Sequence, residues 1–470
     1  MALNSPTPEA LSKLSQIVGS ENIFQDAETR DAYSRDETED LSFLPDVVVK
    51  PGSTEEICKI LKLASAERIP VTPRGGGTGL SGGSLPIKGG ILLSLERLDK
   101  ILEIDKNNLI CVTQPAVTTQ TLQEAVEAEN LFYPVDPASR GTCAIGGNVA
   151  ENSGGPRAAK YGVTKDYVLG LTAVLPSGEI IKTGGKLFKD VTGYNLTGII
   201  VGSEGTLCVI TEIILKLLPL PTCRTMLQIP FPDLESAAGM VSKILRAGIV
   251  PSALEFMERD AILAAKEQLG LTMGFDDAAA QLLIELDGTS QELIDSEVER
   301  IGELALENGA LDVLLAESSA KQDELWKIRR SLGEAVKQCS IYKEEDTVVP
   351  RDKIPELLRR VKELCKQRNI SSICYGHAGD GNIHVNLLKE NLPDDVWERD
   401  LPDIVRELFA IVVDLGGSLT GEHGVGYVQR DYISIMKSDV EIALMRRLKD
   451  SFDPLGILNP GKIFPEIQET

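Results

Sequence analysis

Along the first third of the chain, short apolar runs alternate with stretches whose apolar residues recur every three to four positions, a pattern of strands and amphipathic helices. Ser53 and Glu56 make a capping-box pair ahead of a helix with Ile57, Ile60, Leu61 and Ala64 on its inner face. The run IPVT (69–72) then predicts a strand that leads straight into PRGGGTGLSGGSLP (73–86). Thr121 and Glu124 form a second capping-box pair, and that helix leads to a glycine-rich loop over 141–155. VLGLTAVLPSGEIIKTG (168–184) reads as a hairpin turning at Pro176–Gly178. Two prolines in LPLPTC (218–223) stop the preceding β-run and mark a domain boundary.

Beyond that boundary TMLQIPF (225–231) is a strand. Asp233 caps a helix carrying Ala237, Ala238, Val241, Ile244 and Leu245. AQLLIEL (280–286) is a further strand, followed by a long helix from Ser290 to about Asn308. Such units predict an antiparallel sheet with helices on one face. From about Leu401 the chain is mainly helical and ends in FDPLGILNPGKIF (452–464). The expected class is α+β, in three parts: residues 1–220, 221–400 and 401–470.

Composition narrows the partners. With 42% hydrophobic and 25% charged residues in 470, the chain is ordinary globular protein of more than one domain. A formal net charge of -23 disfavours nucleic acid and anionic membranes as partners. It also requires a local positive pocket if the substrate is an anion. No apolar run has the length of a membrane span, so an integral membrane protein is not expected. The opening MALNSPTPEALSKLSQ has neither signal- nor transit-peptide character, so the expected location is cytoplasmic. The eight cysteines form no C-x-x-C, which leaves no zinc ribbon or iron–sulfur motif. Histidine is scarce: His377, His384 and His423 are all there are.

Three glycine clusters carry the first chemistry. PRGGGTGLSGG (73–83), CAIGGNVAENSGGPRAAKYG (143–162) and VGSEGTLCVITE (201–212) each lie beside strand-like sequence. Glycine allows backbone N–H groups to converge on an anion because no Cβ blocks the approach. One such loop alone is no more than a flexible turn, and none matches a Walker or dinucleotide Rossmann fingerprint. Three in one domain suit a large cofactor lying across it. In this order they resemble the FAD-binding domain of the p-cresol methylhydroxylase and vanillyl-alcohol oxidase superfamily over roughly residues 40–220. The resemblance implies a two-part FAD-binding domain in which Gly75, Gly76, Gly77, Thr78 and Gly79 cradle the pyrophosphate. It places Thr142, Gly146, Asn148 and the stretch from Gly205 to Ile210 along the flavin and its ribityl chain. Asn459, in a C-terminal segment that returns to the flavin, joins them. The chain departs from the common pattern at Cys208, where glycine is usual, and at Asn195, where aspartate is usual.

The histidines fall in two short glycine-rich stretches, YGHAGDGNIHVNLL (375–388) and TGEHGVGY (420–427). His377 follows one apolar strand and His384 opens the next, so the AGDG turn can bring their imidazoles together. Two imidazoles and a carboxylate such as Glu422 make a three-ligand site with open positions, suited to Zn²⁺ and acceptable to Fe²⁺ or Mn²⁺. Asp380 is a second acidic candidate, but its place in GDGN fits a turn residue. Beside a flavin, such an ion would chelate a 2-hydroxy acid through its carboxylate and hydroxyl, lower the hydroxyl pKa and aim the C–H bond at flavin N5. His423 is then left as the base, an unperturbed histidine titrating at about 6.5.

The GHAGDGNIH and GEHG motifs resemble the C-terminal domain of the group that contains bacterial glycolate oxidase D subunits, D-lactate dehydrogenases and D-2-hydroxyglutarate dehydrogenases. That resemblance implies His377, His384 and Glu422 as ligands, His423 as proton acceptor and Asn386 as a substrate contact. It puts Arg329 and Lys343 where the family grips its substrate, consistent with the carboxylate affinity of both side chains. Gly333 lies where the hydroxyglutarate branch can carry a hydroxyl residue, which favours glycolate or D-lactate; D-2-hydroxyglutarate is the alternative. Other classes on the same fold are a redox-neutral flavoenzyme or an electron-transfer subunit, the latter having no use for a base. With no NAD fingerprint or cluster cysteines, electrons must leave to an external acceptor: an iron–sulfur subunit, an electron-transfer flavoprotein, a quinone or oxygen. A homodimer is a further candidate assembly.

Because no histidine precedes residue 377, a histidyl-flavin bond in the first glycine loop is chemically unavailable and the FAD is expected to be non-covalent. Acid precipitation should therefore release the yellow chromophore into the supernatant; colour retained in the pellet would contradict this.

Overall fold

The computed structural model describes residues 3–271 and 274–466. They form two compact units: the described residues of 3–153, 163–220 and 422–466 make the first, and those of 154–162 with 221–421 the second. The chain passes from the first unit to the second between Leu220 and Pro221. Helix Asp394–Asp414 runs unbroken through residue 401 within the second unit. Among the described residues no helix is long and apolar enough to cross a membrane.

The first unit has two main sheets. One is four-stranded, in the order Ile23–Phe24, Val47–Val49, Ile91–Ser94, Val71–Arg74, and its last three strands are parallel. Helix Thr54–Glu67 packs Ile57, Ile60, Leu61 and Ala64 against those strands. Its Ser53 hydroxyl accepts from Glu56 N at 3.2 Å, while Glu56 Oε2 accepts from Gly52 N at 2.7 Å, one residue earlier than a closed capping box. The other sheet is antiparallel and five-stranded, and includes the hairpin of Val168–Val174 with Ile180–Gly184. Two sequence expectations shift here. The second helix is Thr119–Glu127, capped by Thr118 rather than Thr121, because the Thr118 hydroxyl reaches Thr121 N. The stretch 141–155 contains a short helix, Ile145–Glu151, instead of being loop throughout.

The second unit is built on a seven-stranded antiparallel sheet. Its order is Leu314–Leu315, Cys223–Phe231, Ala280–Gly288, Ala253–Glu258, Ser371–Gly376, Asn382–Leu388, Tyr342–Val348. Helices cover both faces, not one. Strands Ala253–Glu258 and Asn382–Leu388 are buried at every residue, which leaves no solvent face for a polar alternation. On one side Arg259–Leu269 and Ser319–Lys337 pack on Met226, Ala253, Met257, Leu283, Ile373 and Tyr375. Residues of the opposite parity, such as Leu227, Leu254, Phe256 and Ile284, belong to the other face. Helix Leu234–Arg246, capped by Asp233, contacts those same strands and helix Ile354–Arg368.

Strands Ser371–Gly376 and Asn382–Leu388 pair with Tyr375 opposite His384, so the intervening turn sets how the two histidines meet. At that turn Gly381 has φ of +95°, and an added Cβ would run into the carbonyl oxygen of Val349. Gly381→Ala should therefore destabilise the protein by about 2 kcal/mol or more. At roughly 2–4 °C per kcal/mol, its calorimetric transition should fall by several degrees. An unshifted transition would show that the turn tolerates a side chain.

Candidate functional site

In the first unit the three glycine segments converge. A Cβ on Gly76 would lie 2.5 Å from the Thr142 carbonyl oxygen, and one on Gly75 3.3 Å from the Ala144 methyl. Gly202 N donates to Val149 O at 2.9 Å and Glu204 N to Ala150 O at 2.8 Å, which joins the second segment to the third. Gly205 closes the circle: its φ is +65°, and a Cβ there would meet the Pro73 ring at 2.9 Å. Asn459 acts as a clamp. Its amide nitrogen donates to Gly83 O and Glu204 O, both at 2.8 Å, and its amide oxygen accepts from Lys462 Nζ at 3.2 Å. Burial pulls the Lys462 pKa down to about 7. The side chain of Asn459 thus holds the loops. Asn148 is likewise engaged, donating to the Thr119 hydroxyl at 2.5 Å. Gly146 rests on Pro115, and Ile210 lies in strand Val209–Lys216. Thr142 is exposed, and its hydroxyl bonds Ser139 O at 3.2 Å. Asn195 caps helix Leu196–Ile200 through Gly198 N, a role aspartate fills equally well, and Cys208 is a buried thiol pushed up to about 12 by burial.

One face of the second unit's sheet concentrates polar side chains. The pairing register places Glu255, Tyr375, His384, Asn386, Glu344 and Asp346 on the same side, and helix Ser319–Lys337 lays Arg329 over it. The rings of His377 and His384 are 5.7 Å apart, edge to face. His377 Nδ1 is hydrogen-bonded to Glu255 at 2.8 Å, and His384 Nδ1 lies 3.1 Å from Glu344 Oε1. A carboxylate can only accept, so in His377 the proton sits on Nδ1 and the lone pair of the neutral ring is on Nε2. This carboxylate–histidine arrangement is how proteins orient imidazoles toward a metal ion, and the donor set fits a divalent one.

Glu255 is fully buried. Burial pushes its carboxyl pKa up, but Arg329 at 2.6 Å and then His377 more than offset this and hold it below the ordinary value. Arg329, also buried, is thereby matched by an internal anion. Tyr375 stands between Arg329 and His384, its ring 5.3 Å from the imidazole. Burial, and after it the Glu344 charge, raises the Tyr375 pKa, so the phenol stays neutral. Asn386 is wholly buried and donates to Ile373 O at 3.2 Å. A Cβ on Gly333 would lie 3.3 Å from the Tyr375 hydroxyl.

Comparison with known proteins finds two family models that meet the chain in succession. Residues 45–184 match the FAD binding domain, and residues 220–463 match the C-terminal domain of FAD linked oxidases. Over 463 residues the chain is 41% identical to glycolate oxidase subunit GlcD of Bacillus subtilis (strain 168), covering 97% of both chains. It is 37% identical to a D-lactate dehydrogenase of Anaerostipes hadrus, covering 98% of both. The chain belongs to the FAD-linked oxidases. This FAD-linked oxidase is an FAD-dependent oxidoreductase of p-cresol methylhydroxylase-type fold. A solved p-cresol methylhydroxylase with substrate bound superposes with a TM-score of 0.82 at 16% identity, over 97% of this chain and 96% of that one.

Within this FAD-linked oxidase the expected residues divide. His377, His384, Asn386 and Arg329 are brought together. Lys343 is not: it pairs with Leu387, and alternation sends its side chain to the face opposite Asn386 and His384. The expectation that Lys343 shares their site is corrected on that ground, and Glu344 takes the position on the histidine face. Asp380 Oδ1 accepts from Asn382 N at 3.2 Å, as a turn residue does. Glu422 and His423 open the last segment of the first unit, directly after Gly421. Gly421 is itself tied to the histidine face, its N–H donating to Asp346 Oδ2 at 2.8 Å. Thr420 Oγ1 and Asn382 Nδ2 also donate to Asp346, at 2.8 and 2.6 Å. Glu255, Glu344 and Asp346 escaped the sequence reading. The available signal was an acid in the middle of the otherwise apolar ALEFM run and the i, i+2 spacing of acids in YKEEDTV.

Glu255→Ala should leave Arg329 buried without its anion and destabilise the protein by about 3–5 kcal/mol in urea titrations. If His377 is a metal ligand, the affinity for added zinc should also fall by roughly 10–100-fold, since His377 loses its orienting partner. The double variant Glu255→Ala/Arg329→Met should recover part of the stability and none of the zinc affinity. Equal recovery of both would place Glu255 outside the orientation of His377.

Proposed function

We propose that this FAD-linked oxidase dehydrogenates a small D-2-hydroxy acid, glycolate or D-lactate, to the 2-keto acid. The observation that carries the reading is the pair of imidazoles on one sheet face, His377 with Nδ1 on Glu255 and His384 edge to face with it at 5.7 Å, beside Asn386 and Arg329. The names of the relatives, glycolate oxidase and D-lactate dehydrogenase, support the same substrate class. FAD is bound non-covalently through Gly75, Gly76, Gly77, Thr78, Gly79, Thr142, Gly146, Asn148 and Gly205 to Ile210. The metal ligands are His377, His384 and Glu422; zinc suits them first, and iron or manganese are the alternatives. Bound FAD supplies a two-electron acceptor, and a bound divalent ion supplies a Lewis acid for the substrate oxygens.

The protein's own groups do the rest. Asn386 and Arg329 position the substrate. His423 receives the hydroxyl proton on an imidazole nitrogen as the C2 hydrogen leaves with two electrons, so the alcohol loses one proton and one hydride. Tyr375 stays protonated, its pKa raised by burial and by the Glu344 charge. The electrons leave the protein to an external acceptor such as an iron–sulfur subunit, an electron-transfer flavoprotein or a quinone. D-2-Hydroxyglutarate is the second substrate to test.

Anaerobic mixing with a panel of D- and L-2-hydroxy acids should bleach the flavin with D-lactate or glycolate, and a flavin that stays oxidised with every member would refute the reading. His377→Ala and His384→Ala should lose metal and activity together. His423→Ala should keep metal and FAD but reduce its flavin on the order of 10²–10⁴-fold more slowly. Loss of metal from His423→Ala with retention in His377→Ala would exchange the ligand and base assignments.

A further inference from the structure

We propose that Glu204 is the positioning residue for the segment that carries Glu422 and His423. Glu204 belongs to the third glycine segment, and its carboxyl reaches the loop that follows His423. Its Oε1 accepts from Val425 N at 2.9 Å and its Oε2 from Gly426 N at 2.6 Å. The loop is shaped to receive it: Gly424 and Gly426 have φ of +80° and +52°, and a Cβ on Gly424 would lie 3.1 Å from Glu204 Oε1. The next two amides, Tyr427 N and Val428 N, donate to Ser81 O at 2.8 and 3.1 Å. Four successive N–H groups behind His423 are thus held by the first and third glycine segments, the two nearest to it by one side chain.

What it costs to keep Glu204 there marks it as more than a brace. Its φ is +52°, in the left-handed region between Gly202 at +78° and Gly205 at +65°, where glycine would sit without strain. It is also a buried acid beside a second one, Glu151, whose carboxyl likewise lies against Gly424. Burial raises the Glu204 pKa although the two amides and then Lys462 pull it back, and burial followed by the Glu204 charge pushes Glu151 well up. Every polar group of Glu204 nevertheless has a partner, each from a different stretch of the first unit. Its N–H donates to Ala150 O, its carbonyl oxygen accepts from Asn459 Nδ2, and its carboxyl holds 425–426. The role rests on the 2-hydroxy-acid reading above, with His423 as base and Gly205 to Ile210 along the flavin. One residue then couples the backbone under the base to the backbone under the flavin. A base must meet its proton within hydrogen-bond reach, and a displacement of about 1 Å can cost on the order of 10²-fold in rate.

Glu204→Gly removes the carboxyl, relieves the left-handed strain and keeps the backbone bonds to Ala150 and Asn459. In the FAD-loaded protein, amide hydrogen exchange over 422–428 should rise by roughly 10–100-fold, with exchange in strands Val71–Arg74 and Ile91–Ser94 unchanged. With zinc in excess, flavin reduction at saturating D-lactate should slow on the order of 10²-fold per bound flavin. KM should change little, because Asn386 and Arg329 belong to the other unit. Glu204→Gln, which keeps one acceptor oxygen, should recover part of both losses. If exchange over 422–428 is unmoved in both variants, Glu204 does not position the segment. If Glu204→Gly sheds FAD while Glu204→Gln retains it and reduces its flavin at the unsubstituted rate, the carboxyl is a structural brace and the positioning role is overturned. If no 2-hydroxy acid bleaches the unsubstituted flavin while exchange over 422–428 still rises, the 2-hydroxy-acid reading fails and the positioning of the segment stands.

Discussion

Glu255 carries a negative charge at the centre of a sheet, with no exposure to solvent, and the site around it depends on that charge being kept. Removing a carboxylate from water is costly, so burial alone would neutralise it. Arg329 and His377 reverse that outcome, and each is fixed in return: the guanidinium by its ion pair, the imidazole by donating Nδ1–H. A single anion thus sets the tautomer of one histidine and the place of the arginine. Were it lost, a cation would remain buried without a partner, and His377 would be free to turn.

A second constraint is the pleat of the sheet. Side chains two apart share a face, so Glu344 and Asp346 arrive together beside His384 and Asn386, while Lys343 and Glu345 go to the far side. Asp346 then does for the GEHG segment what Glu255 does for His377. It accepts from Asn382, Thr420 and Gly421, and so fixes the chain where it leaves the sheet for Glu422.

Much of this was readable in the residues because local rules and the fold agree. Helix Thr54–Glu67 and the hairpin around 176–178 follow from apolar spacing and turn chemistry that tertiary packing did not override. The three glycine segments carried their meaning in their order. What escaped depends on long-range pairing. Register decides the face of Lys343, and register is a property of strands Tyr342–Val348 and Asn382–Leu388 together. Glu255 sits in an apolar strand where its charge looks misplaced until Arg329, 74 positions later in the numbering, is laid over it. Coverage of both sheet faces was hidden for the same reason, since a strand buried on both sides shows no alternation.

The clamp made by Asn459 has a consequence for how the chain is made. The first unit is assembled from three separated stretches, and Val71 pairs with Leu458 while Asn459 bridges Gly83 and Glu204. A ribosome delivers Leu458 and Asn459 only after the two earlier stretches of this unit and the whole of 221–421 have emerged. The second unit, drawn almost wholly from 221–421, is complete by then and can close first. The nascent N-terminal half must wait with its core of Val47, Ile57, Leu61 and Ile91 lacking Ile457 and Leu458. Such distant contacts slow folding and lengthen the time that apolar surface is open to chaperones and to aggregation. Removing the stretch from Ile457 to Asn459 would consequently harm a part of the protein made long before it.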